Sequence, residues 1–155
     1  MGEVSKIKVT LPDGSCREYP AGIALLDIAR DISPRLAREA LAAKVDGCLV
    51  DLGRTLEGDA AVAFLTFDDE EGRQVYRHST SHVMAQAAQK LFPGIKLAIG
   101  PAIADGYYYD FDTSEPFVPE DLAKIEKEME AIIKADQPFE RSALSRLEAL
   151  DMFKK

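Results

Sequence analysis

The chain has 155 residues, of which 46% are hydrophobic and 30% charged, so wholesale disorder is excluded. No apolar run reaches the ~18–20 residues of a membrane helix, and the first residues lack the apolar segment of a secretory signal. The net charge of −8 excludes a globally basic nucleic-acid surface, although it allows contact with one end of an RNA. Cys16 and Cys48 form no C-x-x-C motif, so we expect free thiols in a cytoplasmic protein.

The first 66 residues are predicted to form one small domain. Apolar alternation predicts a strand at 7–11, and the Pro-Asp-Gly-Ser turn after it predicts a hairpin with residues 15–20. Apolar residues at helical spacing predict a helix at 24–32, and Ser33 before Pro34 is typical of the start of a second helix. An Asp-Gly turn predicts a hairpin at 45–50, and a last strand is expected at 61–66. The order β-β-α-α-β-β-β favours a ubiquitin-like β-grasp.

The second half is predicted to be an α+β unit that begins after an acidic linker. Four consecutive acids and a glycine place the linker at 67–72, which leaves 73–155 for the second domain. The patterns predict helices at 78–92 and 119–135, strands at 96–99, 107–111 and 138–142, and a helix that begins at a Ser145–Glu148 capping box. We expect this unit to have a long helix packed on an antiparallel sheet. Because the sequence stops two turns into the last helix, we expect it to be part of a longer protein.

The only two histidines, His78 and His82, carry the clearest chemical signal. Their i, i+4 spacing puts them on one helix face, which a helical projection places about 150° from the apolar face. Ser79 stands where a metalloprotease motif needs glutamate, which excludes that class. Two interpretations remain open from spacing alone: a functional pair, or two surface histidines without a role. As metal ligands they are only a possible half-site, since zinc generally takes three or four protein ligands.

Three motifs in this order resemble those of bacterial and organelle threonyl-tRNA synthetases. The first domain resembles a TGS domain, with Leu-Pro-Asp-Gly-Ser at 11–15 and Lys-Val-Asp-Gly-Cys-Leu-Val-Asp-Leu at 44–52. His-Ser-Thr-Ser-His at 78–82 resembles the H-x-x-x-H of the family's editing domain. Gly-Pro-Ala-Ile-Ala-Asp-Gly-Tyr-Tyr-Tyr-Asp at 100–110 is similar to the G-P-x-x-x-x-G-(F/Y)-Y-Y-D segment of that domain. The resemblance covers nearly the whole chain and implies a TGS domain followed by part of an editing domain.

The resemblance also implies roles for individual residues. His78 and His82 would line the editing pocket and act on the ester or the attacking water, and they are the expected catalytic residues. Tyr109 would contact the aminoacyl group or terminal ribose, and Gly100 would let the backbone approach the substrate closely. Strand packing for the tyrosines and a turn for Gly100 are the alternative explanations. A cysteine, a histidine and a lysine of the family's site match nothing here, so we expect this part alone to be inactive or very weak, with an open pocket.

The resemblance further implies partners and cofactors. The whole enzyme would join threonine to tRNA(Thr) and hydrolyse Ser-tRNA(Thr), so the partner expected here is the acceptor end of that tRNA. No cofactor is expected in this part, whereas ATP, magnesium and zinc would belong to the catalytic core, and a homodimer is expected for the full enzyme. Three alternatives stay open: a non-catalytic binding or regulatory module, a freestanding editing hydrolase, and a metal-storage or structural domain. The 100–110 segment argues against the first of these and the missing site residues against the second.

Overall fold

A computed structural model describes residues 5–138 and 141–154. The N-terminal half contains β1 Lys6–Thr10, β2 Cys16–Pro20, β3 Ile23–Ala24, α1 Leu25–Ile32, α2 Pro34–Glu39, β4 Ala42–Val45, β5 Cys48–Val50, β6 Thr55–Leu56 and β7 Ala60–Leu65. The C-terminal half contains α3 Glu70–Leu91, β8 Lys96–Leu97, β9 Ala102–Ile103, β10 Gly106–Tyr107, β11 Phe111–Asp112, α4 Pro119–Lys134 and α5 Arg146–Phe153.

A five-stranded sheet of order β2-β1-β7-β4-β5 forms the N-terminal domain. The central β1–β7 pair is parallel and its other pairs are antiparallel, which is the β-grasp arrangement expected from the sequence. The core beside this sheet consists of buried apolar side chains from β1, β2, α1, β4, β6 and β7: Ile7, Val9, Tyr19, Leu25, Ile28, Ala43, Leu56 and Val62. The predicted α+β class and β-grasp fold are confirmed.

The helix cap and the hairpin turn that local sequence signals predicted in this domain are both present. The Ser33 hydroxyl accepts hydrogen bonds from the backbone N–H groups of Arg35 and Leu36, so it caps α2 as expected. Asp46 and Gly47 have φ values of 50° and 82°, the left-handed pair that a two-residue hairpin turn requires. The two-residue strands β3 and β6 pair only with each other, and the sequence patterns did not reveal them.

Helix α3 begins at Glu70, eight residues before the predicted start, so half of the predicted linker is helical. Asp69 closes the turn before the helix by accepting a hydrogen bond from the Thr66 N–H at 2.7 Å. Gly72 packs so tightly on the end of β7 that a Cβ there would lie 1.9 Å from the Thr66 carbonyl oxygen. A salt bridge of 2.7 Å between Lys44 and Glu71 joins β4 to the same turn. The acidic segment is therefore a compact strand-to-helix junction.

The chain between Lys96 and Asp112 forms one long, irregular hairpin. At its base β8 pairs with β11, and at its tip β9 pairs with β10, both antiparallel. Between these ladders, the Ala98 N–H donates to the carbonyl oxygen of Asp110 at 3.0 Å, and the Asp110 N–H donates to that of Ile99 at 2.9 Å. The predicted strand 107–111 is therefore interrupted at Tyr108–Asp110, and the strand β9 was not predicted.

Helix α4 begins at the proline that the sequence indicated, and it packs along α3. Its apolar stripe is only partly covered, because Ile125 is buried whereas Leu122 and Ile133 are about 60% exposed. Helix α5 begins at the predicted capping box, in which the Ser145 N–H donates to the Glu148 carboxylate at 2.8 Å. The predicted strand 138–142 falls partly outside the described residues, and 141–142 are not in a strand.

Candidate functional site

The two histidines face each other across one turn of α3. Their Nε2 atoms are 3.1 Å apart, and the rings meet edge to face with centroids 4.6 Å apart. At this distance one nitrogen must carry a proton and the other must offer its lone pair. Both side chains are exposed, as the helical projection predicted, whereas Ser81, Ala85 and Ala88 of the same helix are buried. The pair thus combines a proton donor and a proton acceptor within reach of solvent.

A recess lies beside His78. Its volume is about 410 Å³, it is wide open to solvent, and its lining includes Gln74, Val75, His78 and Ala102. Helix α3 supplies one wall, and Ala102, on the tip of the hairpin, supplies the other. That this recess is the expected open pocket stays a prediction.

Ser81 connects α3 to the hairpin at Gly100, just before the tip begins. It is fully buried, and its hydroxyl lies 2.7 Å from the carbonyl oxygen of His78 and 3.0 Å from that of Gly100. Because a hydroxyl has a single proton, it donates to one carbonyl or is shared between the two. The bond to Gly100 fixes the hairpin to the helix turn that carries the histidines.

A contact within the chain accounts for the absence of a side chain at Gly100. A Cβ at this position would lie 2.0 Å from Cδ2 of Tyr109, so the tyrosine ring occupies the space that a side chain would need. The same ring stacks on Phe111 with a centroid distance of 4.9 Å. Tyr107 and Tyr109 are partly buried, and Tyr108 is 46% exposed. A contact of Gly100 or Tyr109 with substrate stays a prediction.

Arg77 makes a second connection between α3 and the hairpin. Its Nη1 donates to the carbonyl oxygen of Ile103 at 3.1 Å and also to that of Ala104. Sequence reasoning missed Arg77 and Ser81, because their partners lie about 20 residues or more away in the chain. Near this contact, burial raises the pKa of Tyr107, and the neighbouring Tyr76 raises it further, so the phenol stays protonated at neutral pH.

The residues around the pair do not complete a metal site. Among the described residues, no cluster of three or more histidine, cysteine or carboxylate side chains could hold an ion. Cys16 and Cys48 are exposed on the N-terminal domain. Two imidazoles alone do not match the three or four ligands that zinc takes in proteins, so no step of the chemistry is assigned to a metal.

A larger cavity, of about 590 Å³, lies at the other end of α3 between the 91–95 and 113–121 segments. Its carboxylates include Asp121, which is already bonded to Lys124 and to the Val118 N–H. No histidine lines this cavity. The recess beside His78 is therefore the better candidate, since it has groups that can move a proton.

Comparisons with known proteins show similarity along nearly the whole sequence. Residues 7–66 match the family model described as the TGS domain. The chain carries a TGS domain. Beyond that domain, the similarity continues over nearly the whole sequence. The chain is 62% identical over 149 residues to a threonine–tRNA ligase of Desulforamulus reducens, and 54% identical over 149 residues to those of Symbiobacterium thermophilum and Maricaulis maris.

Each of these alignments covers 96% of this chain and 23–24% of the relative. The chain therefore spans about a quarter of the length of the curated relatives that it matches. The TGS domain and these relatives confirm the resemblance to threonyl-tRNA synthetases that the motifs predicted. The extents of the predicted domains and the roles of His78, His82, Gly100 and Tyr109 stay predictions. Within the described part of the chain, no helix is long and apolar enough to cross a membrane.

Proposed function

We propose that this chain is part of a threonine–tRNA ligase and that its second half contributes to hydrolysis of tRNA(Thr) mischarged with serine. The observation that carries the proposal is the exposed His78–His82 pair, 3.1 Å apart at Nε2, beside a recess walled by the hairpin. The similarity to threonine–tRNA ligases over 96% of the chain supports it. In the whole enzyme, threonine and ATP would be consumed by a catalytic core with its magnesium and zinc, acting as a cytoplasmic homodimer.

Physical chemistry explains why such an enzyme needs a second site. Serine lacks one methyl group of threonine and fits any pocket that accepts threonine. One missing methyl in an apolar pocket changes binding by only about 1–3 kcal/mol, or roughly 10–200-fold. A separate hydrolytic site removes the seryl-tRNA that forms because the threonine pocket also accepts serine.

The histidine pair is suited to the proton transfers of ester hydrolysis. Two Nε2 atoms 3.1 Å apart leave no room for a water between them, so the attacking water would replace the hydrogen bond that joins the imidazoles. The imidazole that offers its lone pair would take a proton from this water as the oxygen attacks the ester carbonyl, and the imidazolium so formed would give that proton to the ribose oxygen as the acyl–oxygen bond breaks. The second imidazole would hold the water or polarise the ester through its N–H. Tyr109 and the Gly100 backbone lie next to this turn of α3, where they would contact the terminal ribose or the aminoacyl group. The TGS domain would contact the acceptor region of the tRNA.

The test is deacylation of Ser-tRNA(Thr). It uses the chain itself and a chimaera in which the chain replaces the matching segment of the Desulforamulus reducens ligase, with which it is 62% identical. We expect little or no hydrolysis by the chain alone and clear hydrolysis by the chimaera. His78→Ala and His82→Ala in the chimaera should each lower the rate about 10²- to 10⁴-fold, as expected for loss of a general acid or base. Gln89→Ala, at an exposed position on the same helix, is the matched control.

Two results would contradict the proposal. Unchanged deacylation in both histidine variants would show that the pair does not act in editing. Absence of hydrolysis by the chimaera, with normal threonine charging, would favour a binding module. A tRNA-binding measurement on the chain would then establish whether the TGS domain carries that function.

A further inference from the structure

Helix α3 carries two adjacent pairs of functional side chains with the same i, i+4 spacing. His78 and His82 form the exposed pair. Arg77 and Ser81, each one residue earlier, form a second pair that holds the hairpin. The two pairs share two successive helix turns. The position of the hairpin is therefore tied to the same stretch of backbone that places the imidazoles.

We propose that Arg77 is a positioning residue for the hydrolysis described above, on which this inference rests. By binding two consecutive carbonyl oxygens, those of Ile103 and Ala104, it holds the tip of the hairpin against α3. Ala102, next to this contact, is the hairpin wall of the recess beside His78. Arg77 thus sets the width of the space in which a substrate would meet the histidine.

The tip needs such a contact because its own ladder is short. Strands β9 and β10 pair over two residues each, through Ile103 with Gly106 and Ala102 with Tyr107. An isolated two-stranded ribbon is marginal in water even when it is longer. Ser81 fixes the hairpin only at Gly100, before the tip begins. Arg77 is the contact that fixes the tip itself.

The chemistry of the contact favours arginine over lysine. The guanidinium is planar and directs its N–H donors in a rigid fork, so one side chain can serve two neighbouring carbonyls with a defined orientation. A lysine ammonium keeps the charge but is a compact point donor on a flexible stem. If orientation matters, Arg77→Lys will behave like a loss of the contact, whereas if only charge matters it will behave like the parent.

The experiment compares Arg77→Lys and Arg77→Met with a matched control, Arg73→Lys. Arg73 lies one turn earlier on α3 and also donates to two carbonyl oxygens, those of Phe67 and Asp68, but at the junction with the TGS domain. In the chain itself, backbone amide shifts and hydrogen exchange are measured for the hairpin. In the chimaera, kcat and KM for Ser-tRNA(Thr) are measured separately. Circular dichroism at 222 nm checks that each variant is folded.

We expect both Arg77 variants to shift the amides of 102–107 and to speed their exchange about tenfold or more, while Arg73→Lys leaves them unchanged. In the chimaera, kcat should fall about tenfold to a hundredfold with KM nearly unchanged, because a small displacement near the reacting atoms costs rate. Arg77→Lys should not rescue either property.

Unchanged hairpin amides in both variants would overturn the proposal, as would a parent-like Arg77→Lys. A fall in kcat without any change in the hairpin would also overturn it, since Arg77 would then act on the reaction in another way. If the parent chimaera does not hydrolyse Ser-tRNA(Thr), the proposed function fails. The amide measurements still decide whether Arg77 positions the hairpin.

Discussion

Replacing Gly72 with alanine sets two physical effects against each other. In the interior of a helix, alanine is more favourable than glycine by about 1 kcal/mol, and Gly72 lies in the first turn of α3, so propensity alone predicts that Gly72→Ala stabilises the helix by at most that amount. The packing of the junction predicts the opposite. The new Cβ would lie 1.9 Å from the carbonyl oxygen of Thr66 and 2.8 Å from its carbonyl carbon.

The steric effect should win because the neighbour is backbone. Overpacking typically costs about 1–3 kcal/mol, and the upper end applies where no flexible side chain can move away. Thr66 is also held by Asp69, which accepts hydrogen bonds from its N–H and its hydroxyl at 2.7 and 3.2 Å. Subtracting the propensity gain from a cost of about 3 kcal/mol leaves a net destabilisation of about 2 kcal/mol. For a chain of this length, that lowers the melting temperature by roughly 4–8 °C.

The measurement is thermal and urea unfolding followed by circular dichroism, because the chain contains no tryptophan. Gly58→Ala is the matched control, since a Cβ at Gly58 would meet no atom within 4 Å and its φ is not in the left-handed region. We expect Gly58→Ala to be neutral or stabilising by up to about 1 kcal/mol. If Gly72→Ala were as stable as the parent or more stable, the inference of a tightly packed junction would be refuted.

Three further changes have defined outcomes. Ser81→Ala should lower the free energy of unfolding, measured in urea, by about 0.5–1.5 kcal/mol, because the hairpin loses its hydrogen bond to α3. Ser81→Thr and Ser81→Cys test whether the buried site has space for a larger group. Tyr19→Phe should lower the free energy of unfolding by a similar amount. It should also raise the pKa of Asp31, because the hydrogen bond from the Tyr19 hydroxyl is the largest effect that lowers that pKa. A carboxyl titration by NMR measures the shift. The pKa of Asp121 is lowered from 3.8, chiefly by its hydrogen bond with Lys124, so its contribution is complete above pH 3.8 and is lost as the pH falls through the folded pKa. Asp121→Asn should remove this part of the acid destabilisation in melts that extend from about pH 5 down to about pH 1, and an unaltered pH profile would contradict the assignment.

The sequence predicted those parts of the fold that depend on neighbouring residues. The Ser33 cap, the Asp46–Gly47 turn and the Ser145 capping box each rest on residues within a few positions of one another, and each was found. The early start of α3 was missed, because four acids in a row are typical of a solvated linker. The structure accommodates them through Lys44 on a distant strand and through the close approach of Gly72, neither of which is visible in local composition.

In the candidate site, too, the features that depend on nearby residues were predicted and those that depend on distant residues were not. The face of His78 and His82 follows from helical spacing, so their exposure was predicted. The contacts of Arg77 and Ser81 with the hairpin depend on a long-range arrangement, and the irregular pairing of 96–112 gave no periodic signal. Gly100 makes space for the ring of Tyr109, a contact between residues nine positions apart that the sequence did not reveal, and its approach to a substrate stays a prediction.

The continuity of α3 links the length of one short segment to the direction of the imidazoles. Gly72 holds the first turn of the helix on the last strand of the TGS domain, and His78 lies further along the same uninterrupted helix. Each residue added to a helix rotates the later side chains by about 100° and advances them by about 1.5 Å. Inserting or deleting a single residue between these two positions would therefore turn both histidines by about 100° relative to the β-grasp sheet, and the hairpin that Arg77 and Ser81 hold would turn with them. In this segment, the number of residues between the β-grasp sheet and His78 fixes the direction in which the imidazoles point.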